Sequence, residues 1–479
     1  MAQRVRQQFR VPSALMALLL LASAACTTPA DTTTSTTTST TVAAFDRASI
    51  GDEYFPGLGN SGYDVDHYTL DLIYEPASGL LDATVTIEAY STAALDTFNL
   101  DFGSLAVSEV TVDGAPATAT QLDGELTIIP AAPIGINREF VVEVQYSGAP
   151  RGETTSAIAF PVGWRLTSNG QSFTIGEPDG AHRWYPVNDH PRDKATYTFR
   201  ISVPNGTFAA ANGTLESTTV GEDLTTFVWQ STDLMASYLV TVVTGDFILS
   251  EHDPVDGIAL RDVLPADLSD SAPEVLTRHG EMIEYFSDLF GPYPFEAYGV
   301  VVVDGFETAL ETQTLSLMDR RLLDSRVTQS VLVHELAHQW FGNNVSPASW
   351  RDIWLNEGFA TYAEALWDER TVGAESVDNR FDALRDTANQ AGQDPPGNPR
   401  PDDLFNPGVY TRGALTLHAL RRQVGDNAFF SILREYQVRF GGGVASTDQF
   451  IDLAEEVSGE ALRPLLESFL YDDEVPKLP

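Results

Sequence analysis

The sequence predicts an α+β multidomain protein, in which an antiparallel β-domain of sandwich type precedes a mostly helical domain. From about residue 50 to residue 250, apolar and polar residues alternate with the period of two that is typical of strands, and turn residues separate the segments. Helical periodicity begins near Pro273 and continues, after one more strand at residues 299–303, to the end of the chain. The change near Asp253 and Pro254 divides the predicted β-domain, residues 49–253, from a second domain, residues 254–479.

Five segments of the first domain show the alternation most clearly. They are residues 68–74, 83–89, 140–146, 196–202 and 238–243. Several short strands separated by turn signals are typical of a β-sandwich. The hydrophobic content of 43% is sufficient to fill a core in each domain.

The composition is strongly acidic. The chain has 28 Lys and Arg against 68 Asp and Glu, which gives a formal charge of -40 over 479 residues. Such a surface repels nucleic acid and anionic membranes, so neither is an expected partner. Adaptation to high salt and ordinary solubility both remain open as reasons for this charge.

The N-terminal sequence predicts export. Three arginines within the first ten residues precede an apolar run at residues 14–22 and a stretch of small residues, which is typical of a signal peptide, here residues 1–26. Cys26 is the only cysteine, so an intramolecular disulfide is excluded, and its position predicts lipidation and a cell-surface lipoprotein. Cleavage after Ala25, which would leave a secreted soluble protein, is the alternative. The Thr-rich residues 27–48 are expected to form a linker.

Residues 331–357 contain the pattern of a catalytic zinc site. His334 and His338 are four residues apart on a predicted helix, so both side chains project from one face and can bind a metal. Glu335 is placed to act as general base on a zinc-activated water. Eighteen residues separate His338 from Glu357, which allows the chain to turn and return Glu357 as the third ligand. We therefore expect one Zn²⁺ per chain, with the fourth position left for water.

This stretch and three others resemble the gluzincin metallopeptidases of the aminopeptidase N and leukotriene hydrolase family. The similar segments are residues 356–360 (NEGFA), 177–196, 290–295 and 410–414, and the resemblance extends from about Tyr63 to the end of the chain. It implies a β-domain followed by a thermolysin-like catalytic domain. It also implies a short form without the large C-terminal helical domain that longer members carry, and hence a more open cleft.

The resemblance assigns further residues. Tyr410 matches a tyrosine that donates to the tetrahedral intermediate, with Arg412 in place of the family's lysine two positions later. Glu177 and Glu311 match the carboxylates that bind the free α-ammonium of a peptide. Glu307, four residues before Glu311, is a rival for that role.

Three further ionisable residues carry weaker sequence signals. Glu364 lies seven residues after Glu357 on the same helical face, so it either hydrogen-bonds a ligand histidine or faces solvent. His279 and His418 are expected to be structural.

The function expected from these residues is an exported zinc metallo-aminopeptidase that hydrolyses N-terminal residues from peptides. One alternative is a zinc hydrolase that needs no free amine, such as an endopeptidase or an epoxide hydrolase. A non-catalytic binding lipoprotein is a further alternative. Activity on a peptide and on its N-acetylated twin would separate the first two.

Overall fold

The computed structural model describes residues 49–103, 105–268, 274–323, 327–373 and 375–479. The predicted signal peptide, Cys26 and the predicted linker lie outside the described residues. Within the described ranges, the helices are too short or too polar for any of them to cross a membrane.

The N-terminal part of the described chain is built from strands. They are β1 (Tyr63–Glu75), β2 (Leu80–Ser91), β3 (Phe98–Asp101), β4 (Ala106–Val112), β5 (Ala115–Pro116), β6 (Thr118–Leu122), β7 (Glu125–Ile129), β8 (Glu139–Gly148), β9 (Gly163–Leu166), β10 (Ser172–Ile175), β11 (Lys194–Pro204), β12 (Phe208–Ala211), β13 (Thr214–Val220), β14 (Leu224–Ala236) and β15 (Val242–Gly245). In β1 the buried and exposed positions alternate, as the period of two predicts.

These strands form three sheets. The largest has the order β13-β14-β11-β1-β2-β8-β4-β5, a second has the order β12-β15-β10-β9, and a third has the order β3-β7-β6. The prediction of a wholly antiparallel domain was wrong for one pair, because β1 and β11 run parallel. Alternation identifies a strand and its buried face but carries no information about the direction of a neighbour that is distant in sequence.

The segment at residues 238–243 also differs from the prediction. Ser237–Leu239 forms a turn of 3₁₀ helix, and the strand starts only at Val242. Both pieces are buried. A short apolar run can form either a buried strand or a buried turn, so its sequence alone does not distinguish the two.

The C-terminal part combines a sheet with helices. Its strands are β16 (Phe247–Val255), β17 (Ile258–Pro265), β18 (Ala297–Tyr298), β19 (Val300–Val303), β20 (Ala309–Leu310), β21 (Ser316–Asp319), β22 (Ser346–Pro347) and β23 (Val444–Ala445). Its helices are α1 (His279–Phe290), α2 (Thr328–Ala337), α3 (Trp354–Val372), α4 (Glu375–Ala391), α5 (Pro407–Phe440), α6 (Thr447–Ser458) and α7 (Arg463–Tyr471). At Gly425 the backbone of α5 is not helical, so α5 consists of two helices joined at a kink.

The predicted fold class is confirmed, with two refinements. The sheet of the C-terminal part also contains β20 and β21, where the sequence pattern indicated only one strand after α1. The boundary predicted between residues 253 and 254 lies within the hairpin of β16 and β17. A continuous apolar core extends from Tyr63 to Val475 and includes residues of both parts, which holds the elements around the site in fixed positions.

Candidate metal centre and cleft

Three side chains converge where α2 ends and α3 begins. His334 lies in the last turn of α2, His338 caps that helix with helical backbone angles, and Glu357 lies in the first turn of α3. The Nε2 atoms of His334 and His338 lie 3.2 and 3.5 Å from Glu357 Oε2. In a tetrahedral zinc site with bonds of about 2.0–2.1 Å, the ligand atoms lie about 3.3 Å apart. Both measured separations are close to this value, so the cluster could hold a zinc ion.

The outer nitrogens of both histidines are also engaged. His334 Nδ1 donates to Glu364 Oε1 at 3.0 Å, and His338 Nδ1 donates to the carbonyl oxygen of Phe341 at 3.1 Å. With the proton at Nδ1, each Nε2 lone pair is directed into the cluster and is free to bind a metal.

Glu364 is itself held in place by two neighbours. Ser330 Oγ donates to Glu364 Oε2 at 2.5 Å, and the Arg380 guanidinium lies 3.4 Å from the same oxygen. Helix periodicity left open whether Glu364 contacts a ligand histidine or faces solvent. The hydrogen bond from His334 Nδ1 confirms the contact.

Glu335 is buried beside the ligands and faces the same cleft. Burial raises the pKa of Glu335, the charges of His334 and His338 oppose the rise and the carboxylates of Glu311 and Glu357 add to it, so that the net pKa is about 8. This concentration of buried negative charge suits a divalent cation, which would offset the cost of burying the carboxylates.

Glu177 and Glu311 face each other across the junction of the two parts of the chain. Each is nearly inaccessible, and with Glu357 they form a group whose carboxylate oxygens lie within 4.8 Å of one another. Burial raises the pKa of both carboxyl groups, and their proximity adds to the shift of Glu177. Among the described residues, Glu177 Oε1 and Glu311 Oε1 have no hydrogen-bond partner. The pair is therefore arranged to receive a small cationic group.

Glu307 occupies a different environment. Its side chain is 78% exposed and lies 3.5 Å from the Arg321 guanidinium, outside the cluster. The structure brings Glu311 and not Glu307 to the candidate site.

Tyr410 lies near the start of α5 and lines the cleft, with its ring 6.1 Å from that of His334. Burial raises its pKa well above the ordinary value, and the nearby carboxylates of Glu357 and Glu177 add to the rise. The phenol therefore stays protonated and can donate a hydrogen bond. Arg412 is buried and donates to the carbonyl oxygens of Gln393 and Asp472, at 2.9 and 2.6 Å. Its charge anchors the start of α5.

A close contact between glycines sets the separation of α3 and α5. A Cβ atom on Gly413 would lie 2.9 Å from the Cα atom of Gly358, and a Cβ on Gly358 would meet the Gly413 backbone at 2.8 Å. Gly358 follows the ligand Glu357, and Gly413 follows Tyr410 by three residues. The absence of side chains at both positions lets the helix that carries Tyr410 approach the metal cluster.

The cleft around these residues has a volume of about 350 Å³. Its remaining lining residues come from loops and short strands: Ala157, Ile158, Ala159, Phe160, Thr308, Ala309, Leu310, Asp403 and Phe405. Residues 157–160 were not predicted to line the site, because this segment has no regular periodicity and no motif. His279 and His418 lie elsewhere, with hydrogen bonds to Asp262 and Tyr362, which agrees with the structural role expected of them.

The chain is similar to known proteins over both of its parts. The sequence matches the Peptidase M1 N-terminal domain over residues 64–239 and the Peptidase family M1 domain over residues 275–469. An M1 zinc metallopeptidase from Deinococcus radiodurans, solved with a Tyr-Ser-Ala substrate bound, superposes with a TM-score of 0.84 at 31% identity. That match covers 90% of this chain and 99% of the other. The chain belongs to peptidase family M1.

Two curated relatives in the M1 family are named aminopeptidases. Aminopeptidase M1-B from Oryza sativa subsp. japonica is 27% identical over 412 residues, and aminopeptidase N from Streptomyces lividans is 27% identical over 403 residues. Both matches cover 78% of this chain and 46% of the relative. The chain thus spans about half the length of the curated relatives it matches.

Proposed function

We propose that this M1 family member is a zinc-dependent aminopeptidase that removes N-terminal residues from peptides. The observation that carries the proposal is the juxtaposition of two sites in one cleft. His334, His338 and Glu357 could hold the metal, while Glu177 and Glu311 present buried carboxylate oxygens to a second cation. A peptide with a free α-ammonium supplies that cation and places its first peptide bond close to the metal cluster.

The chain's own residues supply the remaining parts of the reaction. A zinc ion held by His334, His338 and Glu357 would supply Lewis-acid chemistry toward water and the scissile carbonyl. Glu335 is the general base: its carboxylate takes a proton from the attacking water and transfers it to the leaving amine. The Tyr410 hydroxyl donates a hydrogen bond to the carbonyl oxygen as negative charge develops there.

Glu177 and Glu311 would make the enzyme selective for free N-termini. A blocked N-terminus offers no charge to the two buried carboxylates and leaves them unpaired, which disfavours its binding. Solved relatives support this assignment, because the M1 zinc metallopeptidase from Deinococcus radiodurans was solved with a Tyr-Ser-Ala substrate, and two-domain M1 zinc metallopeptidases were solved with L-tryptophan and L-arginine.

The experiment uses leucine and alanine p-nitroanilides with their N-acetylated twins, each with and without a zinc chelator. We expect release of p-nitroaniline from the free-amine substrates alone, abolished by the chelator and restored by Zn²⁺. Equal rates on acetylated substrates would instead favour a zinc hydrolase without an amine requirement. A zinc-loaded protein that is inactive on every substrate would favour a binding role.

Export and anchoring are part of the proposal and rest on the N-terminal sequence alone. We propose that residues 1–26 direct export, that Cys26 carries the lipid and that residues 27–48 link it to the folded protein. Expression of the full chain and of a Cys26→Ser variant in a bacterial host would test this. The native protein is expected in the membrane fraction, and the variant is not. Equal amounts of both in the soluble exported fraction would favour the secreted form.

A further inference from the structure

Donors from the β-domain contact the loop that follows the metal-binding helix. This loop, residues 342–344, offers three consecutive carbonyl oxygens. The Tyr238 hydroxyl donates to Gly342 O at 2.8 Å, and Lys194 Nζ donates to Asn343 O at 2.8 Å and Asn344 O at 2.9 Å. Tyr238 and Lys194 are both buried, so these contacts are shielded from water. The 342–344 loop is therefore fixed to the β-domain by all three of its carbonyls.

Asn343 connects this loop to the metal cluster and to Glu311. Its backbone N–H donates to His338 O at 3.0 Å, and its side-chain Nδ2 donates to Glu311 O at 2.7 Å. Gln339 Nε2 donates to the same Glu311 carbonyl at 3.2 Å. The backbone that carries the Glu311 carboxylate thus takes its position from the 342–344 loop.

Glu177 takes its position from the same part of the β-domain. A Cβ atom on the preceding residue, Gly176, would lie 2.3 Å from the carbonyl oxygen of Tyr238, so the two backbones are in direct contact. Tyr238 therefore touches the Glu177 segment through its backbone and the 342–344 loop through its hydroxyl. The two carboxylates of the candidate amine site are held relative to each other through Tyr238, Lys194 and Asn343.

The choice of lysine suits this role. The chain has two lysines, Lys194 and Lys477, and the rest of its 28 Lys and Arg residues are arginines. A compact ammonium can donate to two adjacent carbonyls in different directions, whereas a planar guanidinium is suited to paired coplanar acceptors.

We propose that Lys194 and Asn343 are positioning residues for recognition of the substrate amine. They fix the separation between Glu177 and Glu311, so that both carboxylates contact one ammonium. This inference rests on the proposed aminopeptidase function.

The test compares two ligands that differ only in the ammonium group. L-leucine hydroxamate carries the α-ammonium, and 4-methylpentanehydroxamate is the same molecule without it. The dissociation constant of 4-methylpentanehydroxamate divided by that of L-leucine hydroxamate reports the contribution of amine recognition. Both constants are measured by calorimetry on the zinc-loaded protein. We expect Asn343→Ala and Lys194→Met each to reduce this ratio about tenfold, the loss expected when one charge-assisted hydrogen bond is misplaced. Binding of the amine-free ligand should change less than about twofold.

Asn344→Ala is the matched control. The Asn344 side chain donates to Gln437 Oε1 and accepts from Gly442 N, both at 2.9 Å, and its backbone carbonyl is retained in the variant. This change should lower stability but leave the ratio at the native value.

The outcomes separate the two proposals. A native ratio near one would refute the amine site itself and with it the proposed function. A large native ratio that is unchanged in Asn343→Ala and Lys194→Met would overturn the positioning role. Equal weakening of the binding of both ligands in these variants would overturn it as well. If Asn343→Ala does not fold, Asn343→Ser provides the same measurement, because serine is too short to replace the contact with Glu311 O.

Discussion

The contact between Glu364 and His334 predicts a specific loss of zinc affinity. Glu364→Gln keeps the shape of the side chain and an oxygen that can accept from His334 Nδ1, but it removes the negative charge. The charge favours the tautomer with the proton on Nδ1 and increases the electron density at Nε2. We therefore expect the variant to fold normally and to bind zinc more weakly.

The size of the effect follows from the exposure of the pair. The His334 and Glu364 side chains are 14% and 18% exposed, so solvent screens the interaction only in part. A hydrogen bond to a charged group contributes about 1.5–3 kcal/mol, and a neutral one contributes about 1 kcal/mol. Because a neutral bond remains in the variant, the loss is about 0.5–2 kcal/mol, or roughly a tenfold increase in the zinc dissociation constant near the middle of that range.

Competition with a chelating dye gives that constant directly. Glu369→Gln is the control, because Glu369 lies on the same helix and pairs with Arg421 at 2.7 Å, away from the metal cluster. Zinc affinity should be native in the Glu369 variant and about tenfold weaker in the Glu364 variant. Native affinity in both would refute the role given to Glu364.

Three further predictions follow from other parts of the structure. Glu335→Gln should retain zinc, measured by metal analysis, while kcat falls by at least about 100-fold because the general base is lost; native kcat would contradict that role. Gly413→Ala should separate α5 from α3, lower the free energy of unfolding by about 1–3 kcal/mol in denaturant titration and reduce kcat, because the new Cβ meets Gly358; native stability and turnover would contradict the close contact. Burial raises the pKa of Asp262, but the charge of His279 and hydrogen bonds from His252, His279 and Val300 N outweigh it and lower the pKa to about 2. The stabilisation from Asp262 is therefore complete above about pH 4 and lost as the pH falls towards 2, so Asp262→Asn should cost about 2 kcal/mol at pH 5 and little at pH 2. A loss that does not depend on pH would contradict this.

The features that could be predicted from the sequence depend on the spacing of residues close together in the chain. The four-residue separation of His334 and His338 and the helical position of Glu364 depend only on helix geometry, which short-range sequence determines. The same holds for the alternation in β1 and β2, which located the strands and their buried faces.

The features that could not be predicted from the sequence depend on contacts between segments that are distant in the chain. The parallel pairing of β1 with β11 and the cleft wall at residues 157–160 depend on how remote parts of the chain pack. Lys194 is separated from Asn343 by 149 residues, and neither residue carries a local pattern that indicates the other. Arg412 illustrates the same limit, because the sequence identified it only as a replacement for the family's lysine, whereas its contact with Asp472 O in the C-terminal segment is visible only in the structure.

The most direct measurement is mass spectrometry of a ten-residue peptide and its N-acetylated twin during digestion by the zinc-loaded protein. An aminopeptidase that binds the α-ammonium between Glu177 and Glu311 should remove residues one at a time from the N-terminus of the free peptide and leave the acetylated twin intact. Internal cleavage, or equal digestion of both peptides, would contradict this account.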